Sequence, residues 1–251
     1  MIGAAGRRGA ARGAARWPLW LFAPFVLVAA PLSVRAIGPL DGAIAVTAAL
    51  AAYYAALFRR ADPDLRRLLL LIVPISLAGE VLCSLVLGLY RYRGDAIPPF
   101  VPLGHAVIFA TGVHAARHPA LVARERVARG VLLAGYALAF AVAILWLGDT
   151  LSAVGGLLLA LLLARKRWAL LYLVMGLVVL AIELVGTRVG LWAWRREAPG
   201  GLTATNPPIG AIALYVFGDA LIARVDRLCR RARPAPASAP AGEVAGRAGR
   251  A

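Results

Sequence analysis

The chain has few of the side chains on which common active sites are built. Its 251 residues include two cysteines, Cys83 and Cys229, and three histidines. The two cysteines are too far apart for a disulfide framework or a metal-binding spacing. His114 and His118 stand four residues apart, but no carboxylate follows at the spacing of a zinc site. The sequence therefore predicts no metal centre and indicates no cofactor.

Several catalytic motifs are also missing from the sequence. It contains no GxxxxGK loop that would cradle phosphates, no GxSxG, no HExxH and no CxxC pair. The chemistries that these motifs serve have no support in this chain.

Long apolar runs dominate the sequence instead. Hydrophobic residues make up 61% of the chain, and the mean hydropathy is +0.78. Most of the runs reach the length of about 17 to 25 residues that a helix needs to cross a bilayer core. They predict an all-α polytopic membrane bundle of about eight spans, at residues 17–34, 37–58, 68–90, 98–116, 130–148, 150–164, 168–194 and 207–223.

The positive charge of the chain follows this topology. The formal net charge is +16, but the arginines lie between the apolar runs and not on one soluble face, so nucleic acid is not an expected partner. Of the 28 Lys and Arg residues, 22 fall in alternate loops and the two tails, and the other 6 on the opposite side. Positive residues resist translocation, so both termini are predicted to be cytoplasmic, in the inner membrane.

The remaining segments complete the predicted organisation. We expect a basic cytoplasmic N-tail at 1–16, a first four-span half at 17–116, a basic cytoplasmic loop at 117–129, a second four-span half at 130–223, and a disordered cytoplasmic tail at 224–251. The first span has an alternative interpretation as a cleaved signal peptide, with a small-residue site at 34–36. Cleavage would leave seven spans.

Two stretches of the chain resemble each other. "EVLCSLVLGLYRYR" at 80–93 is matched by "ELVGTRVGLWAWRR" at 183–196, and each stretch is followed by a double proline that opens the next span. The matching spans, third and seventh, run in the same direction across the membrane. This pattern predicts two parallel four-span repeats related by a pseudo-twofold axis along the membrane normal.

The repeat pairs two intramembrane carboxyl groups, Glu80 and Glu183. Glu80 stands ten residues before Tyr90 and Glu183 nine before Trp192. With a helical rise of about 1.5 Å per residue, each carboxyl is predicted to lie about 14 Å below the outer aromatic residues, near the midplane. A charge there is costly unless it is protonated, paired or in contact with water. We expect Glu80 and Glu183 to be catalytic, because apolar surroundings and a second carboxyl both favour a retained, transferable proton. The structural alternative is a pair of neutral side chains that bond neighbouring helices.

Three further polar residues are candidates for the same site. His105 follows Pro99 by six residues, at a depth from which it can reach Glu80 and orient or reprotonate it. Asp219 lies in the last span and is a candidate for substrate binding or for an ion pair with an arginine. Asn206 precedes the second double proline and is a candidate for ligand contact or for helix capping.

The aromatic residues and the arginine beside them complete the set of candidates. Aromatic side chains collect at bilayer interfaces, but here they could also form the walls of a substrate site; the four are Tyr90, Tyr92, Trp192 and Trp194. Arg91 stands on the side that disfavours arginine, which indicates contact with a lipid phosphate or a carboxylate. Asp95 is an alternative partner for it.

The glutamate followed by "GLYRYR" and "IPPFVPLGHA", with "GLWAWRR" and "NPP" in the second half, resembles membrane proteins of carotenoid biosynthesis. The resemblance is to the carotenoid hydratases and more distantly to the heterodimeric lycopene cyclases. It implies a lyase or cyclase that protonates a double bond of an apolar isoprenoid drawn from the membrane lipids. The alternatives are a proton-coupled transporter or lipid-binding protein whose intramembrane acids carry the proton or ligand, and a purely structural subunit.

Overall fold

The part of the chain that the structure describes is mostly helical. The structure, a computed structural model, describes residues 39–165 and 169–231. The predicted N-tail, the first span at 17–34, the alternative cleavage site and residues 232–251 lie outside the described residues. The helices are α1 Pro39–Arg60, α2 Pro63–Glu80, α3 Phe100–Ala116, α4 Pro119–Ala123, α5 Glu125–Leu145, α6 Thr150–Ala164, α7 Ala169–Arg188 and α8 Ala211–Arg231.

Among the described residues, four helical segments are long and apolar enough to cross a membrane. They are Gly42–Arg60, Pro63–Val86, Glu125–Leu145 and Leu170–Arg188, while Phe100–Ala116 and Thr150–Ala164 are shorter apolar helices. These six correspond to the second to seventh predicted spans. The eighth predicted span corresponds to α8, whose second half carries several charged residues, Arg224 to Arg231 among them. The prediction of a helical membrane protein is confirmed as far as the length and apolar composition of these helices show it.

Local sequence explains where several helices begin. Asp62 caps α2 by accepting a hydrogen bond from the Leu65 amide at 2.8 Å, and Pro63 occupies the first turn, where no amide is needed. Asp149 caps α6 in the same way through the Ser152 amide at 2.9 Å. These caps fix the entry points of α2 and α6.

The ends of α2 and α7 differ from the prediction. After Glu80 the chain continues as a π-helix, Val81–Val86, and Gly88 then adopts a positive φ of 60°. Arg188 ends α7, and Gly190 has a φ of 71°. Glycine reaches this left-handed region without steric cost and terminates helices there. The predicted spans to residues 90 and 194 were therefore too long.

Beyond these glycines the chain folds back as short strands. Strand β1, Tyr90–Tyr92, pairs antiparallel with β2, Trp192–Trp194, in the register Tyr90↔Trp194, Arg91↔Ala193 and Tyr92↔Trp192. A second small hairpin joins β3, Glu197–Ala198, to β4, Leu202–Thr203. The β1–β2 pair ties together two segments that are about a hundred residues apart in the chain.

The helices pack around a centre made of α2, α3, α7 and α8. In this centre α2 packs on α3 and α8, and α7 packs on α3 and α8; outside it α1 packs on α3, α6 on α8, and α5 on both α6 and α7. Gly210 lets α6 approach closely, because a Cβ there would lie 2.9 Å from the Ser152 Cα. Large apolar side chains on the outer surface of the bundle, such as Leu138 and Leu145 of α5, are exposed, as expected for a surface that faces lipid.

The side of the bundle predicted to be cytoplasmic is more ordered than predicted. The region 117–129 contains α4 and the first turn of α5, and α8 continues to Arg231, past the predicted end of the last span at 223. Asp226 explains this extension, since it accepts from Arg230 at 2.8 Å and from Arg67 of α2 at 3.3 Å. These ion pairs hold the end of α8 against the start of α2.

Candidate functional site

Glu80 and Glu183 line one apolar cavity at the centre of the bundle. The cavity has a volume of about 150 Å³ and lies between α2, α3, α7, α8 and the β1–β2 pair. Glu80 is 5% exposed and Glu183 is 4% exposed. Glu80 and Glu183 occupy equivalent positions in the two similar stretches of sequence, and they lie in a common site.

Glu80 is held by three side chains. The hydroxyls of Tyr90 and Tyr92 each donate to its Oε2 at 2.7 Å. His105 places Nε2 2.8 Å from Oε1 of the same carboxyl. The sequence prediction that His105 reaches Glu80 agrees with this contact.

Glu183 is held by three side chains in a similar arrangement. The indole N–H groups of Trp192 and Trp194 each donate to its Oε2 at 2.9 Å. The Tyr215 hydroxyl donates to Oε1 at 3.2 Å. Each carboxyl therefore has two aromatic donors from the strand that follows its own helix, and one ring from the helix after the double proline.

The predicted distance between the carboxyls and the aromatic residues was wrong. A continuous helix would separate Glu80 from Tyr90 by about 14 Å, but their side chains are in hydrogen-bond contact. The π-helix after Glu80 and the left-handed Gly88 turn the chain back, so that β1 covers the carboxyl. A π-helical turn inside an α-helix is often found at a functional site.

Aromatic rings form the wall of the cavity next to the β1–β2 pair. The Tyr90 ring lies 4.7 Å from Trp194 and the Tyr92 ring 6.1 Å from Trp192, between ring centroids. His105 stacks on Tyr215 at 4.9 Å with an interplanar angle of 15°. The His105–Tyr215 stack connects the partners of the two carboxyls.

The partners of each carboxyl constrain where protons lie. An indole N–H donates and cannot accept, so Oε2 of Glu183 accepts two hydrogen bonds and carries no proton. An imidazole nitrogen can donate or accept, so one proton can lie on either atom of the Glu80 Oε1 and His105 Nε2 contact. The Glu80–His105 pair can therefore hold a proton and release it.

Asp219 lies in the wall of the same cavity, on α8. It is 7% exposed, and no hydrogen bond to its Oδ2 is present among the residues that the structure describes. The predicted alternative of an ion pair between Asp219 and a nearby arginine is not found among the ion pairs of the described residues.

Two predicted site residues lie outside the cavity lining. Asn206 accepts a hydrogen bond from the Trp194 amide at 2.9 Å, and so positions β2. The exposed Arg91 pairs with Asp95 at 2.8 Å, which is the alternative partner that the sequence offered. Neither side chain touches the cavity.

Sequence reasoning missed Tyr215. Its signal was its position, seven residues after Pro208, which parallels His105 six residues after Pro99. Among residues 39–165 and 169–231, no group of three or more metal-ligating side chains could hold a metal ion.

We found no match for this chain among protein-family models, curated proteins or solved structures. The resemblance to membrane proteins of carotenoid biosynthesis therefore stays a prediction, and the functional argument rests on the geometry of the cavity.

Proposed function

We propose that this protein acts on a lipid-soluble isoprenoid of the carotenoid type and protonates one of its carbon–carbon double bonds. The observation that carries the proposal is the Glu80–His105 contact of 2.8 Å in the wall of an apolar cavity that also contains Glu183. Hydration and cyclisation both begin with this protonation.

The proton donor in this proposal is the Glu80–His105 pair. The two tyrosine hydroxyls on Oε2 orient the Glu80 carboxyl, which leaves Oε1 and the imidazole to share a proton. An acid excluded from water and positioned in this way can transfer its proton to a bound double bond.

Protonation of a double bond creates a carbocation, which needs negative charge and electron-rich faces nearby. Glu183 supplies the negative charge, because its two indole donors stabilise the ionised carboxylate. The rings of Tyr90, Trp192 and Trp194 also line the cavity, and aromatic faces attract cations.

The size of the cavity supports a reaction at one end of a long substrate. Apolar cavities of about 150 Å³ can hold a benzene ring, and this cavity is about 150 Å³. A terminal unit of an isoprenoid chain is of comparable size. The rest of the substrate would then remain outside the cavity, among the membrane lipids.

The wider architecture that we propose is eight spans in two parallel halves, in the inner membrane with both termini cytoplasmic. A local twofold axis between Arg91 and Ala193 would exchange the pair Tyr90↔Trp194 with the pair Tyr92↔Trp192, in agreement with the strand register. The same rotation would replace α1, α2 and α3 by α6, α7 and α8. It would therefore exchange the α1–α3 contact with the α6–α8 contact, and the α2–α8 contact with the α3–α7 contact. All four contacts are present. The uneven distribution of Lys and Arg supports the orientation.

The proposal is tested on the nonpolar lipids of cells that lack the gene, carry it, or carry Glu80→Gln. Chromatography and mass spectrometry are expected to reveal a hydrated, cyclised or isomerised isoprenoid only with the intact glutamate. Glu125→Gln is the matched control, because Glu125 is half exposed, lies outside the cavity lining and forms an ion pair with Arg129. Identical extracts from all strains would contradict the proposal, and substrate-dependent proton uptake into vesicles without a new lipid would support the transport alternative.

A further inference from the structure

Five arginines gather around the β1–β2 pair, at the end of the bundle opposite to the predicted cytoplasmic side. In the predicted topology 6 of the 28 Lys and Arg residues lie on that side, and the structure describes five of them. They come from two stretches about a hundred residues apart, which the pairing of β1 with β2 brings together. The five are Arg91, Arg93, Arg188, Arg195 and Arg196. Positive residues are disfavoured on this side of a membrane, so their convergence calls for a physical reason.

The β1–β2 pair has an aromatic face and an arginine face. Successive side chains of a strand point to opposite faces of the sheet. Tyr90 and Tyr92 are buried against the cavity. Arg91 and Arg93 therefore point to the opposite face, where both are exposed. The antiparallel hydrogen bonds continue one residue past β2, and they place the exposed Arg195 on this same arginine face.

The three arginines of this face lie close enough to repel one another. Arg91 and Arg93 are two positions apart on one strand, which separates them by about 7 Å. Arg195 is the diagonal cross-strand neighbour of Arg91, also at roughly 7 Å. Asp95 pairs with Arg91 at 2.8 Å, but within the described part of the chain no carboxylate forms an ion pair with Arg93 or Arg195. Neighbouring like charges on a sheet are destabilising, and an anion bound between them would offset that cost.

The arginine face lies at the level of the lipid headgroups. The helical segment Pro63–Val86 has 24 residues, which at about 1.5 Å per residue gives a length of about 36 Å. The hydrocarbon core of a bilayer is about 30 Å thick. A segment that begins at one membrane surface therefore ends at the other surface, where the chain enters β1.

Exposed apolar side chains adjoin the arginine face. Leu85 is 58% exposed and Val86 is 69% exposed, just before the chain turns at Gly88. The guanidinium of Arg195 lies beside this turn, since its Nη1 would be 3.2 Å from a Cβ at Gly88. A cationic group next to an exposed apolar surface matches a molecule that has an anionic headgroup and acyl chains.

We infer that the arginine face of the β1–β2 pair binds the phosphate of an anionic membrane phospholipid, whose acyl chains lie along Leu85 and Val86. Guanidinium groups suit this ligand, because they bind two phosphate oxygens at once through parallel hydrogen bonds. The opposite face of the same strands holds the aromatic donors of Glu80 and Glu183. A lipid bound here would therefore stabilise the part of the chain that covers the two carboxyls. The inference does not depend on the reaction proposed for the cavity.

The test measures binding of dioleoylphosphatidylglycerol to the purified protein in detergent by native mass spectrometry, with zwitterionic dioleoylphosphatidylcholine as the reference. The wild type is expected to bind the anionic lipid at least about tenfold more tightly. The double change Arg93→Gln and Arg195→Gln is expected to weaken its binding roughly 30-fold. The matched control is Arg124→Gln with Arg126→Gln, which removes two exposed arginines from the predicted cytoplasmic side. This control should keep the affinity of the tightest site.

A second measurement locates the lipid without relying on the stability of any variant. A photoreactive phosphatidylglycerol should label the wild type within residues 85–93 or 188–196. Label confined to other segments would overturn the inference, as would equal affinity for the two lipids or an equal loss of affinity in the control variant. Displacement of the lipid by glycerol phosphate at equal concentration would indicate a site for a soluble phosphate and would also overturn it.

Discussion

The imidazole of His105 stacks on the phenol ring of Tyr215, with 4.9 Å between the ring centroids and 15° between the planes. Each ring bonds a different carboxyl, His105 at 2.8 Å from Glu80 and Tyr215 at 3.2 Å from Glu183. The two carboxyls, which come from helices about a hundred residues apart in the chain, are thus parts of one continuous network. A substitution that disturbs the hydrogen bonds of one carboxyl should therefore also alter the position of the other carboxyl.

Tyr215→Phe tests this network without disturbing the stack. The change keeps the ring but removes the hydroxyl that donates to Glu183. A hydrogen bond to a charged group contributes about 1.5–3 kcal/mol, so we expect the initial rate of product formation to fall roughly tenfold. Tyr136→Phe is the matched control, because that buried hydroxyl donates to the Leu173 carbonyl and Tyr136 does not line the cavity. Equal rates for the two variants would contradict a role of Tyr215 in the site.

Glu183→Gln and Glu183→Leu separate the chemical role of Glu183 from its structural role. The glutamine retains an oxygen that can accept from Trp192 and Trp194, so we expect normal stability and a rate at least about 100-fold lower, since the negative charge is lost. The leucine leaves the indole N–H groups of the buried Trp194 and the partly buried Trp192 without an acceptor. Each such group costs about 1–3 kcal/mol, so only this variant should have a clearly lower melting temperature in detergent. Two variants with the same melting temperature would show that the indoles do not depend on Glu183.

Gly186→Ala tests the contact that positions Trp192. A Cβ at Gly186 would lie 2.0 Å from the Trp192 ring, so the ring must leave the position in which it bonds Glu183. Overpacking of this kind costs about 1–3 kcal/mol, and we expect both the melting temperature and the product yield to fall. Gly135→Ala is the matched control, since a Cβ at this helical glycine meets no atom within 4 Å. A tolerated Gly186→Ala variant would contradict the placement of the ring.

The sequence predicted which residues lie together around the cavity better than it predicted the path of the backbone there. Apolar runs identified a membrane protein, and the rarity of acids in such runs singled out Glu80 and Glu183. His105 could be assigned to Glu80 because helical rise predicts its depth. These inferences needed only local spacing along single helices.

The fold-back of the two aromatic stretches could not be read from the same pattern. "GLYRYR" and "GLWAWRR" continue the preceding apolar runs, so hydropathy extends the helices, whereas positive φ at Gly88 and Gly190 ends them. The β1–β2 pairing is a contact between distant segments, and no local preference specifies its register. Asn206 and Tyr215 acquire their roles only through that pairing and through the packing of α8.

The central claim is that Glu80 is required to place a proton on a carbon of an isoprenoid. The most direct measurement is the deuterium content of nonpolar lipids from cells grown briefly in D₂O with wild-type protein or Glu80→Gln, resolved by mass spectrometry. The account predicts one additional carbon-bound deuterium in a hydrated, cyclised or isomerised isoprenoid with the wild type and none with Glu80→Gln. The same labelled species at the same abundance in both strains would contradict it.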